Sequence, residues 1–417
     1  RRKMVAPAGK SGRMATAVAT VRSVTDYLED DGLPAQFSIC MVSDDFLPAA
    51  TGVGVHLNLI APELVRRGCE VAVITSRRKG EPEVEQWRGV TIHRTYSVKV
   101  YGFYQALPSL AAVRRILERC RPDLVHHHYA GLMMLRVCRL AEVLGLPQVS
   151  TYHFSADVLT QQFPLRLFRS LIRSQMVSCN NRFDLVIAPS QKLADQLAAA
   201  GVRTPIRYIS NPVVFDDIGS FVPAQRPPGL TVLYAGRLGP EKNVSFLLQG
   251  FAKLLMQVPE CVLWIAGGGP EEGALRGLSA QLGIRDRVTF LGHLDRPTLA
   301  CCYAACDVFV LPSLLETQGM VAMEAMWFAK PIIVTSAIVS AHELVEDGVS
   351  GYIVGPDSPA ELASRLAILA ADSDRRQAMG RAGRERARAF GLEGVVDSLL
   401  TAYSLVMEGR ALGKRAL

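Results

Sequence analysis

The chain has 417 residues, of which 49% are hydrophobic and 20% charged, with a formal net charge of +7. That length suits two domains of ordinary size rather than one core, and the composition excludes a mainly disordered, collagen-like or coiled-coil chain. No run of about 18 apolar residues occurs, so no membrane-spanning helix is expected.

Five of the first thirteen residues are Lys or Arg. No apolar core of signal-peptide length follows before Arg22, and residues 1–36 match no interpretable pattern. A second basic excess lies in residues 100–215, with 13 basic against 6 acidic side chains. It argues for an anionic partner, with membrane, nucleotide and nucleic acid all fitting. Nucleic acid is the weakest of these, because no aromatic motifs interleave the charges.

From residue 37 short strand-like runs alternate with helical stretches, the signature of parallel α/β sheets. The first set of strands is FSICMVS, EVAVITS, VTIHRT, DLVHHH, PQVSTYH, DLVIAPS and IRYIS, with helices such as Val55–Arg67, Ala112–Cys120 and Gln191–Ala200 between them. Residues 216–229, rich in Pro and Gly, read as a linker. A second set follows: TVLYAG, CVLWIAG, RVTFLG, DVFVLPS, PIIVTS and GYIVG. The expected domains are therefore 37–215 and 230–390, each a parallel α/β layer. Residues 391–417 form a last helix that packs on either one. Ligands of such sheets bind beyond the carboxyl ends of the strands, here in the cleft between the domains.

The nine cysteines are an odd number and mostly sit in apolar runs, where a thiol behaves as a small hydrophobe. Cys301, Cys302 and Cys306 cluster without zinc-site spacing. A reduced, cytoplasmic protein is expected.

Several segments carry candidate chemistry. TGVGVHLN at 51–58 brings small residues to a helix start but is not a dinucleotide fingerprint. His126, His127, His128 and His153 lie at strand ends. In a strand neighbouring side chains point to opposite faces, so at most two of the three consecutive histidines converge. No Asp or Glu completes a metal set, and none is expected. FPLRLFRSLIRSQM places Arg166, Arg169 and Arg173 at i, i+3 and i+7 beside Leu165, Phe168, Leu171, Ile172 and Met176. That pattern is a basic amphipathic helix for an anionic membrane, or a core helix with a solvated Arg edge. YGFYQALPSL at 101–110 adds exposed-looking aromatics.

LYAGRLGPEKN puts Arg237 and Lys242 at a strand tip before a helix, a pairing that suits a diphosphate or, equally, two surface charges. IAGGGPEEGAL is a further Gly-rich turn. In LPSLLETQGMVAMEAMW, Glu316 precedes a helix opened by Gly319, and Glu324 lies about one and a half turns into it. The carboxylates suit sugar or ribose hydroxyls, or an ordinary helix surface.

Together and in this order, these segments resemble retaining glycosyltransferases of family 4, from about Ser38 to about Phe390. The matching residues are Gly52, Arg237 with Lys242, and Glu316 with Glu324, joined by GGGP at 267–270, FLG at 290–292, CDVFVLPS and EDGVSGYIV. The resemblance implies a GT-B fold, two Rossmann-like domains with the active site between them. It implies that Arg237 and Lys242 hold the donor diphosphate, and that Glu324 binds the ribose. Glu316, with Thr317, Gln318, Gly319 and Met320, would hold the donor sugar, and Val321, Gly268 and Leu291 would also line the donor site. His153 would meet the hydroxymethyl end of the sugar, and Gly52 the phosphates.

The same resemblance implies a nucleotide-sugar donor, with UDP favoured over GDP, and no metal or other cofactor. The implied acceptor is a glycan, lipid or lipid-linked sugar in envelope polysaccharide, lipopolysaccharide or glycolipid synthesis, with the enzyme peripheral on the inner face of the membrane. Thr51 stands where the family has a first glycine, Asn211–Pro212 replaces Asn-Gly, and VSAHE at 339–343 lacks paired glycines. DSD at 372–374 looks like a metal triad but begins a helix. A nucleotide-sugar epimerase, or an inactive subunit of a synthase, are the alternatives.

Overall fold

The computed structural model describes residues 37–48, 51–100, 103–128, 131–153, 168–215 and 228–411. Two sheets organise them. The first contains β1 (Ser38–Val42), β2 (Glu70–Ser76), β3 (Val84–Trp87), β4 (Val90–Thr95), β7 (Leu124–His127), β8 (Gln148–Thr151), β9 (Leu185–Ala188) and β10 (Ile206–Tyr208), while β5 (Ser97–Val100) and β6 (Phe103–Ala106) pair as a separate hairpin. The second contains β11 (Thr231–Ala235), β12 (Val262–Ala266), β13 (Val288–Gly292), β14 (Val308–Leu311), β15 (Ile332–Thr335) and β16 (Gly351–Val354).

The strand orders are β10-β9-β8-β7-β1-β2-β4-β3 and β13-β12-β11-β14-β15-β16. Apart from the β3–β4 pair, every pairing in the two sheets is parallel. Helices therefore cover both faces of each sheet, and the strands are near-continuous apolar runs rather than alternating ones. TVLYA of β11, for instance, is buried at all five positions. Strand order reverses between β1 and β7 in the first sheet and between β11 and β14 in the second. A doubly wound sheet opens its crevice at such a reversal, outside the carboxyl ends of the strands.

Both sheets belong to one compact body. The last helix, Leu392–Ala411, follows the second sheet in sequence yet packs on the first, against the helix Gly52–Arg66. Val395, Val396, Leu399, Leu400, Tyr403 and Val406 enter the first core. Arg410 binds the Asp184 carboxylate through two 2.8 Å bonds. Leu399 is almost fully buried there, so Leu399→Ala is expected to cost about 2–5 kcal/mol. Urea denaturation checks this. A loss below about 1 kcal/mol would mean that the helix is not docked in solution.

The short strands β3, β5 and β6 were not expected from the sequence. Of the aromatics of YGFYQALPSL only the Tyr104 side chain is among the described residues, and it is half-buried. Tyr104 lies in the hairpin with the Arg78 guanidinium 5.1 Å and the Lys99 ammonium 5.9 Å from its ring centre; Tyr101 is outside the described residues. Most of the expected linker and all of residues 1–36 also lie outside them.

Candidate active site

The reversal between β11 and β14 brings two loops together. After β11 the chain turns at Gly236, whose N–H donates to the Ala266 carbonyl at 2.9 Å. Gly267, at φ +128°, packs so closely that a Cβ there would stand 1.9 Å from the Gly236 carbonyl oxygen. The Gly-rich turns after β11 and β12 thus interlock backbone to backbone, which only glycine at 267 permits. A short 3-10 turn, Pro240–Lys242, leads into the helix Val244–Leu255.

From this turn the Lys242 ammonium reaches the Glu316 carboxylate in the loop after β14. Both side chains are 18% exposed, and Ser313 Oγ donates to the same carboxylate oxygen at 3.4 Å. Arg237 donates to Glu241 at 2.5 Å with its side chain 46% exposed. The Leu314 N–H binds the Glu241 carbonyl at 2.8 Å, tying the two loops together. Two cations therefore stand at the mouth of the crevice, each held in place by a carboxylate.

Gly319, at φ +75°, opens the helix Met320–Trp327. The N–H groups of its first turn precede the first intrahelical bond and leave a positive end at the crevice. Glu324 is the fifth residue of that helix and accepts from the Tyr303 hydroxyl at 2.8 Å. Burial pushes its carboxyl above the usual range, against the opposing pull of the Tyr303 bond and the Arg296 charge. Tyr303 stacks on Phe328, which meets Phe215 edge-on at 4.8 Å.

The first lobe supplies the opposite wall. Thr51 caps the helix Gly52–Arg66 by accepting from the Gly54 N–H at 3.3 Å. The residue that stands where the family has a first glycine is thus a helix cap. A Cβ on Gly52 would stand 3.9 Å from Met320 Sδ, so Gly52 faces the start of the second-lobe helix. His126 and His128 share one face of the β7 end, and His127 takes the other, at 2.9 Å from Gln148. His126 is fixed between Tyr403 at 2.7 Å and Thr151 at 2.8 Å. His128 Nδ1 lies 3.2 Å from His153 Nε2. Burial lowers all four imidazoles, His153 down to about 3.

As expected, no more than two of the three consecutive histidines share a face and, among the described residues, no Asp or Glu joins them, but a histidine from another element does. His56 comes from the capped helix, and its ring centre is 4.7 Å from that of His153 and 5.4 Å from that of His128. Periodicity marks His56 only as a residue on the buried face of a helix, and nothing in its spacing points to histidines some 70 and 100 residues away.

Gln318 and Glu343 join the lobes. Gln318 accepts from the Asn211 N–H at 2.8 Å and donates to Ser210 Oγ at 2.6 Å. Glu343 accepts from the N–H groups of Gln191 at 3.1 Å and Lys192 at 2.9 Å, at the start of the helix Gln191–Ala199. The Gln318 side chain is thereby buried in the lobe contact, although it stands in the run expected to hold a sugar. Gly268 accepts from the Leu238 N–H at 2.9 Å. Leu291 lies partly buried in β13, and Thr317 and Val321 are half-buried at the mouth.

Arg169 and Arg173 lie on the helix Arg169–Asn180, whose only buried residue is Asn180. Its Val177 and Cys179 pack, partly buried, against the first-lobe core, while Arg169 and Arg173 are exposed. Phe168 is 52% and Leu171 57% exposed; Arg166 and Leu165 lie outside the described residues. The nine cysteines are all free thiols. Asp372 caps the helix Ser373–Ala387 through the Arg375 N–H at 2.8 Å.

Two family models match this chain, "Glycosyltransferase Family 4" over residues 50–217 and "Glycosyl transferases group 1" over residues 220–386. A D-inositol 3-phosphate glycosyltransferase of Actinosynnema mirum is 30% identical, over 85% of this chain and 92% of that protein. Sulfoquinovosyl transferase SQD2 of Arabidopsis thaliana is 29% identical, over 78% of this chain and 64% of that protein. Among solved structures, sucrose-phosphate synthase from Thermosynechococcus elongatus has a TM-score of 0.77 at 23% identity, over 89% of this chain and 99% of that one. Anabaena HepE, solved with UDP and glucose, has a TM-score of 0.69 at 21% identity, over 88% and 100%. At these identities the structures speak for the fold, the GT-B arrangement of two Rossmann-like domains.

Proposed function

The chain belongs to glycosyltransferase family 4, and we propose that it moves a hexose or N-acetylhexosamine from a nucleoside-diphosphate sugar to a lipid or lipid-linked glycan, with retained configuration. The observation that carries the donor class is the pair Arg237 and Lys242 beside the free helix end at Met320. Two cations and oriented N–H groups suit a diphosphate and stabilise the charge that grows as it departs. No divalent metal is part of this reading, since those groups do the same work. UDP is the favoured nucleotide, and the HepE structure was solved with UDP. Glu324, held by Tyr303, is assigned to the ribose, and Glu316 and His153 to the sugar.

The reaction breaks the bond from C1 of the sugar to the phosphate oxygen and forms one to the acceptor oxygen on the same face. The acceptor's hydroxyl proton passes to the departing phosphate. No side chain is assigned as a covalent nucleophile. An NMR measurement of the product anomer tests this, and an inverted anomer overturns it.

Exposed Phe168 and Leu171 on a helix carrying Arg169 and Arg173 favour the lipid acceptor, because apolar side chains framed by cations suit an anionic bilayer surface. Among the described residues no helix is long and apolar enough to cross a membrane, so contact through this surface would be peripheral. Leu171→Asp is expected to weaken binding to phosphatidylglycerol vesicles at least about tenfold, through lost apolar burial and added repulsion. Cosedimentation checks this, and unchanged binding removes the role. A phosphorylated cyclitol acceptor is the second reading, favoured by the name of the Actinosynnema relative.

A panel of UDP- and GDP-sugars in EDTA, first without acceptor and then with lipid and inositol phosphate acceptors, tests the whole proposal. Release of one nucleotide identifies the donor. No release with any donor and acceptor shifts the weight to a binding subunit, and an epimerised donor to an epimerase.

A further inference from the structure

We propose that His56, His128 and His153 form a three-histidine site for a divalent ion of the zinc or cobalt class, and that an ion held there blocks the cleft. The three rings come from three elements: the helix Gly52–Arg66, the end of β7 and the loop after β8. Their candidate ligand atoms all lie within 4.8 Å of one another. His128 Nδ1 and His153 Nε2 share a hydrogen bond at 3.2 Å, which an ion would replace with little movement, since two nitrogens bound tetrahedrally at about 2.05 Å stand roughly 3.3 Å apart. Closing His56 onto the same ion shortens the widest gap by about 1.5 Å, within the reach of a ring rotation.

A second observation points to a missing ligand. Both ring nitrogens of His56 are buried without a hydrogen bond of normal length, and His56 is only 3% exposed. Leaving such groups unpaired is unfavourable, and a bound ion pairs one nitrogen of His56 and leaves the other as an N–H donor. The surroundings fit the same reading. His126 packs on the His128 ring at 3.8 Å, itself fixed by Tyr403 and Thr151. The Asn211 carboxamide faces His56 and favours a protonated ring nitrogen there, and its buried oxygen has no hydrogen bond of normal length elsewhere. An oxygen in that place can accept the remaining N–H of a ligating imidazole, the usual way such a ring is oriented.

The donor set contains no carboxylate, so it disfavours magnesium, calcium and manganese and suits zinc, cobalt, nickel or copper. Three protein ligands leave a fourth position open. An ion there takes the lone pair of His153, and on the proposed reading that histidine meets the donor sugar. The site is therefore inhibitory rather than required, and this inhibitory part alone rests on that reading.

Cobalt(II) titration of the EDTA-stripped full chain is the test. Expected are d–d bands of tetrahedral intensity, saturating at one ion per chain without thiolate charge-transfer absorption, and displaced by zinc. His56→Gln is expected to lower cobalt affinity at least about tenfold. Weak octahedral bands only, a thiolate band, or unaltered affinity in a folded His56→Gln protein overturns the site. Zinc-edge X-ray absorption on the unaltered chain needs no variant: three imidazoles support the site, and fewer than three overturn it. None of these readouts uses a sugar donor, so they stand apart from the transferase reading. In the active enzyme, turnover falling in step with zinc occupancy and restored by EDTA supports the block, and full turnover with zinc bound overturns it.

Discussion

Lys242→Ala is expected to lower kcat/KM for the productive donor by about 10²- to 10³-fold, the usual scale for removing one preorganised group that stabilises departing charge. Two losses combine. The diphosphate loses a cation at the crevice mouth, and Glu316 loses the partner that holds it between the loops after β11 and β14. A half-buried carboxylate without its cation also repels an incoming anion. UDP affinity by calorimetry should fall along with turnover. Arg237→Ala is expected to act more mildly, because Arg237 is more exposed than Lys242 and its charge is better screened by water. Near-normal turnover of Lys242→Ala would remove the diphosphate assignment.

The strands of both sheets are legible in the sequence because a parallel strand covered on both faces is a compact apolar run, and DVFVLPS or PIIVTS admits few other readings. The loops that follow β11 and β14 are legible for the same reason, since the strand ends fix where they begin. The hairpin β5–β6 and the strand β3 are not. VEQW is half-exposed and polar at its centre, so its pairing with β4 is decided by the neighbour rather than by its own pattern.

The polar joins between lobes leave no local trace either. Gln318 meets Ser210 and Asn211 more than a hundred residues away, and Glu343 caps a helix of the other lobe. Each is an ordinary polar residue until the lobes close. Thr51 is a related case, where family comparison marks a lost glycine and local chemistry supplies a cap. What the sequence marks best are residues whose partner is a backbone turn or a ligand. What it marks worst are residues whose partner is a distant side chain, as with His56.

Glu316→Gln separates binding from turnover in a way that Lys242→Ala does not. The substitution keeps the shape of the side chain but removes its charge and turns one acceptor oxygen into an N–H donor, so Lys242 keeps its full charge for the diphosphate. Donor affinity is therefore expected to stay within a few fold of the unaltered protein, or to tighten, while kcat falls about 10²-fold. The reason is positional. The Glu316 carboxylate is the fixed point to which both Lys242 and Ser313 bind. An amide oxygen can still accept from both, but without the ion pair it is held less firmly and its NH2 meets the sugar where a carboxylate oxygen stood, and misplacement by about 1 Å costs on that order in rate. The double variant Lys242→Ala/Glu316→Gln should be less damaged than the product of the two single effects, because the residues act as one unit. Steady-state kinetics on all three variants, with UDP affinities beside them, check the pattern. Fully multiplicative losses would show that the ion pair across the two loops is incidental, and a Glu316→Gln protein with normal kcat would take the carboxylate out of the sugar site altogether.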